Sequence, residues 1–121
     1  MKSILVVDDE AHIRTLFADE LTDEGYEVHT AASVHEGWEE ISRQLPDLVI
    51  LDIRMPEESG LEMLEELRSR HPRLPIMMCT ALRALEDDYT IWQSKVSAFL
   101  AKPVDLDDLI TKVQGAIGVP D

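Results

Sequence analysis

One cysteine, Cys79, stands in 121 residues, so no internal disulfide can form, which agrees with a reducing compartment. No apolar run approaches the roughly 20 residues of a membrane-spanning helix. Met1-Lys2-Ser3 leads straight into a short apolar run rather than a signal-peptide core. A cytoplasmic protein without a membrane partner is therefore expected. Positive charge is scarce as well: 11 Lys and Arg face 25 Asp and Glu, for a net charge of -14. Such a chain repels phosphate backbones, which argues against direct binding of nucleic acid. Internal repeats and low-complexity segments are missing. His12, His29, His35 and His71 share no metal-ligand spacing, and surface positions suit all four.

What is present describes one domain spanning residues 1–121, since 45% hydrophobic content over this length suffices for a proper core. Much of the negative charge, such as Glu62, Glu65 and Glu66, falls at the spacing of a solvated helix face. Leu48 to Leu51 is a continuous apolar run ending on a carboxylate, Asp52, as fits a strand buried on both faces of a parallel sheet. Ile4 to Val7 is a second such run and leads into Asp8-Asp9-Glu10; Ile76 to Cys79 is a third and ends on Thr80. Tyr26 to Ala31 alternates apolar and polar residues like an edge strand, and Val96 to Leu100 is a short last strand ending near Lys102-Pro103. Between them lie helical stretches. Ile13, Leu16, Phe17 and Leu21 precede the stop at Gly25. Ser33 and Glu36 have capping-box spacing before Val34, Trp38, Ile41 and Leu45, and Ser59 and Glu62 repeat it before Leu61, Met63, Leu64 and Leu67. A weaker helix runs from Ala84 to about Ser94. Asp105 caps the final one, whose Leu106, Leu109, Ile110, Val113 and Ile117 share a face before Gly118 and Pro120 end it.

Strict alternation of strand and helix predicts an α/β fold: a doubly wound, flavodoxin-like, five-stranded parallel sheet with helices on both faces. The fully apolar runs belong at the centre, which suits the order 2-1-3-4-5 with its switch point between the first and third strands. Asp8, Asp9 and Asp52 would then open onto one crevice. Alone, Asp52 could be a turn residue that opens a loop. Three carboxylates together are unfavourable unless something positive shares the site. Oxygen ligands without cysteine or paired histidines point to Mg²⁺ rather than zinc. Lys102 and the Thr80 hydroxyl would supply a cation and a donor from the opposite side, forming a phosphoryl clamp around a carboxylate nucleophile.

Over essentially its whole length the chain resembles a response-regulator receiver domain of bacterial two-component signalling, the CheY-like superfamily. The matching segments are Val6-Val7-Asp8-Asp9-Glu10, Leu51-Asp52-Ile53-Arg54-Met55-Pro56 with Gly60, Thr80-Ala81, and Phe99-Leu100-Ala101-Lys102-Pro103. The resemblance implies that Asp52 is the phosphoacceptor for a sensor histidine kinase or phosphotransfer protein. It also implies that Asp9, Asp52 and the main-chain carbonyl of Arg54 hold Mg²⁺, with Asp8 assisting directly or through water, and that Thr80 and Lys102 bind phosphoryl oxygens. Thr80 and Phe99 would then act as the switch, biasing the face made by the 84–94 helix, the fifth strand and the final helix. Such a domain is not an enzyme on other substrates; it catalyses only its own phosphorylation and dephosphorylation. Its output would pass to a downstream protein target or an effector domain, and the resemblance leaves room for a homodimer through the same face. A cis Lys102-Pro103 bond follows from the resemblance too. Residues 119–121 suit the start of a linker.

Some features have plainer readings. Phe99, Met77, Met78 and Cys79 are core residues by composition alone, and Trp92 with Ile91 suits packing or partner contact equally. Lys95-Val96 stands where the family usually has Gly-Ala, which disfavours a left-handed stop there. Arg54 and Leu82 offer neither carboxylate nor amide to orient an attacking water, so self-dephosphorylation is expected to be slow. Two rivals stand beside this reading. A haloacid-dehalogenase-like phosphatase also uses an Asp after a hydrophobic strand, but needs a second Asp two residues on, where this chain has Arg54. A phosphorylation-independent interaction module would keep the fold without the chemistry.

Overall fold

The computed structural model describes residues 1–53, 60–81 and 96–120, with Thr80 and Ala81 described by their backbone alone. Within these residues the chain forms β1 (Ser3–Val7), α1 (Ala11–Asp23), β2 (Glu27–Ala31), α2 (Val34–Arg43), β3 (Leu48–Leu51), α3 (Gly60–Arg70), β4 (Ile76–Ala81), β5 (Ala98–Lys102) and α4 (Leu106–Ile117). All four strand pairings are parallel, in the order β2-β1-β3-β4-β5. The expected architecture is thus the observed one. The weaker helix expected from Ala84 to Ser94, and Ser59 of the second capping box, lie outside the described residues.

Alternation of side chains along each central strand divides the core in two. Ile4, Val6, Ile50, Met77 and Cys79 face α1 and α4, meeting Phe17, Leu21, Leu109 and Val113. Leu5, Val7, Val49, Leu51 and Met78 face the opposite way onto Met63, Leu64 and Leu67 of α3, with Trp38 and Ile41 of α2 at the margin. Residues on both faces of β1 and β3 are buried, which is why those segments read as unbroken apolar runs.

The helix ends follow their sequence signals with some shifts. Ser33 Oγ accepts the Glu36 N–H at 3.1 Å, while the Glu36 carboxylate reaches one residue further back than a capping box, to the Ala32 N–H at 3.1 Å. Asp105 accepts the N–H groups of Asp107 and Asp108 at 2.8 and 3.3 Å. Gly25 follows α1 at φ 103°, where a side chain would be strained. Leu45 lies beyond the end of α2 and is exposed rather than part of its apolar stripe, and Leu16 is exposed at the rim of the narrower stripe of Ile13, Phe17 and Leu21.

The fifth strand begins later than its apolar residues suggest. It starts at Ala98, not Val96, because parallel pairing sets Ala98 opposite Met77 and carries the strand on to Lys102 opposite Ala81. The Ser97 N–H enters the same ladder through the Ile76 carbonyl at 2.7 Å. Lys102 is therefore the last residue of a strand, held by the sheet rather than by a loop. The bond to Pro103 is cis.

Candidate functional site

Two acids extend the sheet by one residue each. Beyond the end of β1 the Asp8 N–H donates to the Ala31 carbonyl, and beyond β3 the Asp52 N–H donates to the Val7 carbonyl, both at 3.0 Å. The ladder thus fixes the backbones of Asp8 and Asp52 side by side at the switch point, where strand order reverses. Both residues are buried, at 2% and 3% exposure, so two carboxylates stand in a poorly hydrated crevice. Asp9 is exposed at its mouth, and oxygens of Asp8, Asp9 and Asp52 lie within 4.8 Å of one another.

Lys102 enters from β5, two strands away from β3. Its ammonium lies 3.1 Å from Asp8 Oδ2, 3.2 Å from Asp52 Oδ2 and 3.1 Å from Glu10 Oε2. Burial pulls the Lys102 pKa down, but hydrogen bonds and charge from Asp8, Asp52 and Glu10 outweigh it and leave the ammonium more tightly protonated than usual. At Asp8 burial outweighs the partners. Burial raises its pKa above the ordinary carboxylate value, although the Glu10 N–H, donating to Asp8 Oδ1 at 2.9 Å, and Lys102 both favour the anion. A crevice that leaves a carboxylate so poorly solvated accommodates a second positive charge readily.

The donor set fits a hard divalent cation. Three carboxylate oxygens, with neither thiolate nor imidazole among them, match the preference of Mg²⁺ for a few carboxylates with positions left for water or phosphate.

Most of the expected site residues come together here. Asp8, Asp9, Asp52 and Lys102 converge. Thr80 is placed by its register beside Ala101, adjacent to Lys102 in the pairing of β4 with β5. Phe99 lies opposite Met78, half-buried against the α2–α3 side of the core, and its carbonyl accepts a hydrogen bond from Lys112 Nζ at 2.7 Å. Arg54, Leu82, Ile91, Trp92 and Lys95 lie outside the described residues.

Three residues make contacts that the sequence reading did not assign, although Glu10 and Gly60 stand in its matching segments. Glu10 pairs with Lys102; its place after Asp8-Asp9 was the only signal. Arg14 Nη1 donates to the Asp8 carbonyl at 2.7 Å, tying α1 to the acidic loop. At Gly60 a Cβ would fall 2.7 Å from Ile53 Cα and closer still to the Asp52 carbonyl oxygen. Only glycine lets α3 start against the backbone that carries Asp52.

Comparison with known proteins bears on the fold that carries this site. A family model described as the response regulator receiver domain matches residues 4–114. The transcriptional regulatory protein GlrR of Escherichia coli is 38% identical over 114 residues, covering 94% of this chain and 26% of its own length. The regulator NtrC of Klebsiella pneumoniae is 34% identical, over 93% of this chain and 24% of its length. The chain thus spans about a quarter of these curated relatives. Among solved structures, the response regulator TrrA of Thermotoga maritima, in complex with Mg²⁺ and BeF, matches with a TM-score of 0.85 and 40% identity, covering 96% of this chain and 99% of that one.

Proposed function

The chain belongs to the response regulator receiver domain family, and we propose that within it Asp52 is the residue that accepts the phosphoryl group. The observation that carries this reading is the placement of Asp52: buried at the end of a central strand, within 4.8 Å of two further carboxylates and 3.2 Å from the Lys102 ammonium. The donor would be a phosphohistidine on a sensor histidine kinase or a phosphotransfer protein. An Asp52 carboxylate oxygen attacks phosphorus; the new bond is O–P, the bond broken is N–P, and the imidazole nitrogen leaves with the electron pair. Lys102 donates to the phosphoryl oxygens from a fixed strand position, and the Thr80 hydroxyl does the same by the family resemblance. Positioning and charge supply most of the acceleration.

Asp8, Asp9 and Asp52, with the main-chain carbonyl of Arg54 as the resemblance implies, would hold Mg²⁺, which when bound adds positive charge against the oxygens of the transferring group. The domain acts on itself alone, gaining and losing its own phosphoryl group, with slow loss because Arg54 and Leu82 carry neither the carboxylate nor the amide that would orient a water. Output passes through the face that contains β5 and α4, where Phe99 and Thr80 respond to the new charge, to a target protein or an effector domain. A homodimer through that face is a further reading. Nothing observed favours a phosphatase or a module without phosphoryl chemistry.

The test is intact mass after incubation with Mg²⁺ and acetyl phosphate. One phosphoryl adduct that requires the metal and is lost in Asp52→Asn is the expected result. An adduct that persists in Asp52→Asn would move the acceptor elsewhere.

A further inference from the structure

Lys102 has a third anionic partner that phosphoryl transfer does not call for. Glu10 Oε2 stands 3.1 Å from the ammonium, as close as Asp8 Oδ2 and slightly closer than Asp52 Oδ2. The three partners are not equivalent. The side chains of Asp8 and Asp52 are 2% and 4% exposed and lie inside the crevice, whereas that of Glu10 is 44% exposed and lies on its solvent side. Lys102 is thus drawn inward by two acids and outward by one. The backbone of Glu10 is fixed by its own N–H, which donates to Asp8 Oδ1 at 2.9 Å, and by its carbonyl, which accepts the N–H groups of Ile13 and Arg14 at 3.2 Å each. The side chain thus extends from a backbone fixed at the start of α1.

We propose that Glu10 is a positioning residue that takes a share of the Lys102 ammonium at the mouth of the crevice, loosening its contacts with Asp8 and Asp52 and competing with the phosphoryl group for it. The inference rests on the assignment of Asp52 as acceptor. Two consequences follow, with opposite signs. Without the Glu10 charge, the Lys102 ammonium is held by Asp8 and Asp52 alone and opposes a divalent cation there more strongly, so Mg²⁺ alone binds more weakly. Once a phosphoryl group or its mimic sits on Asp52, Lys102 has no outer carboxylate to leave, so the mimic binds more tightly. The pair is partly exposed, and each effect should be modest, about two- to fivefold.

The experiment compares the native chain with Glu10→Gln and Glu10→Asp. Calorimetric titration gives the affinity for Mg²⁺ alone and for beryllofluoride at saturating Mg²⁺, and ¹⁵N NMR of the Lys102 ammonium reports its surroundings without metal. The expected result in Glu10→Gln is weaker Mg²⁺ binding, tighter beryllofluoride binding and a displaced Lys102 resonance, with Glu10→Asp intermediate. Affinities that move in the same direction, or a Lys102 resonance that does not move, would overturn the proposal. A native chain that binds neither probe would count against Asp52 as acceptor, while the metal-free resonance would still decide whether Glu10 takes a share of the Lys102 ammonium.

Discussion

Gly60 shows how much one missing methyl group can decide. An alanine at the first position of α3 should favour the helix by about 1 kcal/mol. Here its Cβ would meet the backbone of Asp52 and Ile53, and backbone cannot rotate away as a side chain can. Gly60→Ala is therefore expected to destabilise by about 1–3 kcal/mol in urea unfolding and to weaken Mg²⁺ binding, because relief of the clash displaces Asp52. Cys79 makes a different prediction. Burial pushes its thiol up to about 12 from an ordinary 9.0. Below pH 9.0 the thiol is protonated in both folded and unfolded chains and has no bearing on stability. Between 9.0 and about 12 the unfolded chain releases the proton and the folded chain keeps it, so stability falls as pH rises. The urea midpoint of the native chain should decline more steeply over that window than that of Cys79→Ala; parallel declines would exclude the effect.

At the scale of elements, the caps and the strand pairings share the work of holding the site. Asp105 satisfies two N–H groups at the start of α4, and Ser33 one at the start of α2. Replacing either with alanine should cost about 1 kcal/mol. Hydrogen exchange should accelerate in α4 for Asp105→Ala and in α2 for Ser33→Ala; acceleration spread evenly over the chain would argue against a local role. The far end of α4 is tied to segments distant in the chain. The Tyr26 hydroxyl donates to the Gly118 carbonyl at 2.6 Å and Lys2 Nζ donates to the Ile117 carbonyl, so the residues that lead into β1 and β2 complete the cap of a helix 115 and 92 residues further on. Nothing in the local sequence of either end announces this. In contrast, both N-terminal caps were legible, because a capping side chain bonds within three residues of itself.

For the whole molecule the governing quantity is charge. A net charge of -14 works against the compact state by self-repulsion, and two buried carboxylates concentrate part of it at one end of the sheet. Mg²⁺ held by the folded chain alone should stabilise it by about 2.7 kcal/mol at a hundred times its dissociation constant. Thermal unfolding with Mg²⁺ and with a chelator should therefore differ by several degrees, and Asp9→Asn should erase most of the difference. Monovalent salt should raise the midpoint of the metal-free chain by screening. A midpoint indifferent to both would remove the acidic crevice from the stability of the fold. No described helix is long and apolar enough to cross a membrane.

The amino-acid sequence by itself determined the order of elements, the sheet order and the buried positions of its central strands, because runs such as Leu48 to Leu51 and Ile4 to Val7 are apolar throughout. It also determined which acids and which lysine stand at strand ends. The limits of β5, the partnership of Glu10 with Lys102, the tie of Tyr26 to Gly118 and the close approach at Gly60 were decided only in three dimensions. Periodicity reports which face of an element is buried, a property carried by neighbouring residues. A pairing across 92 positions depends on register and on the angle at which elements meet, and no single stretch of chain carries either.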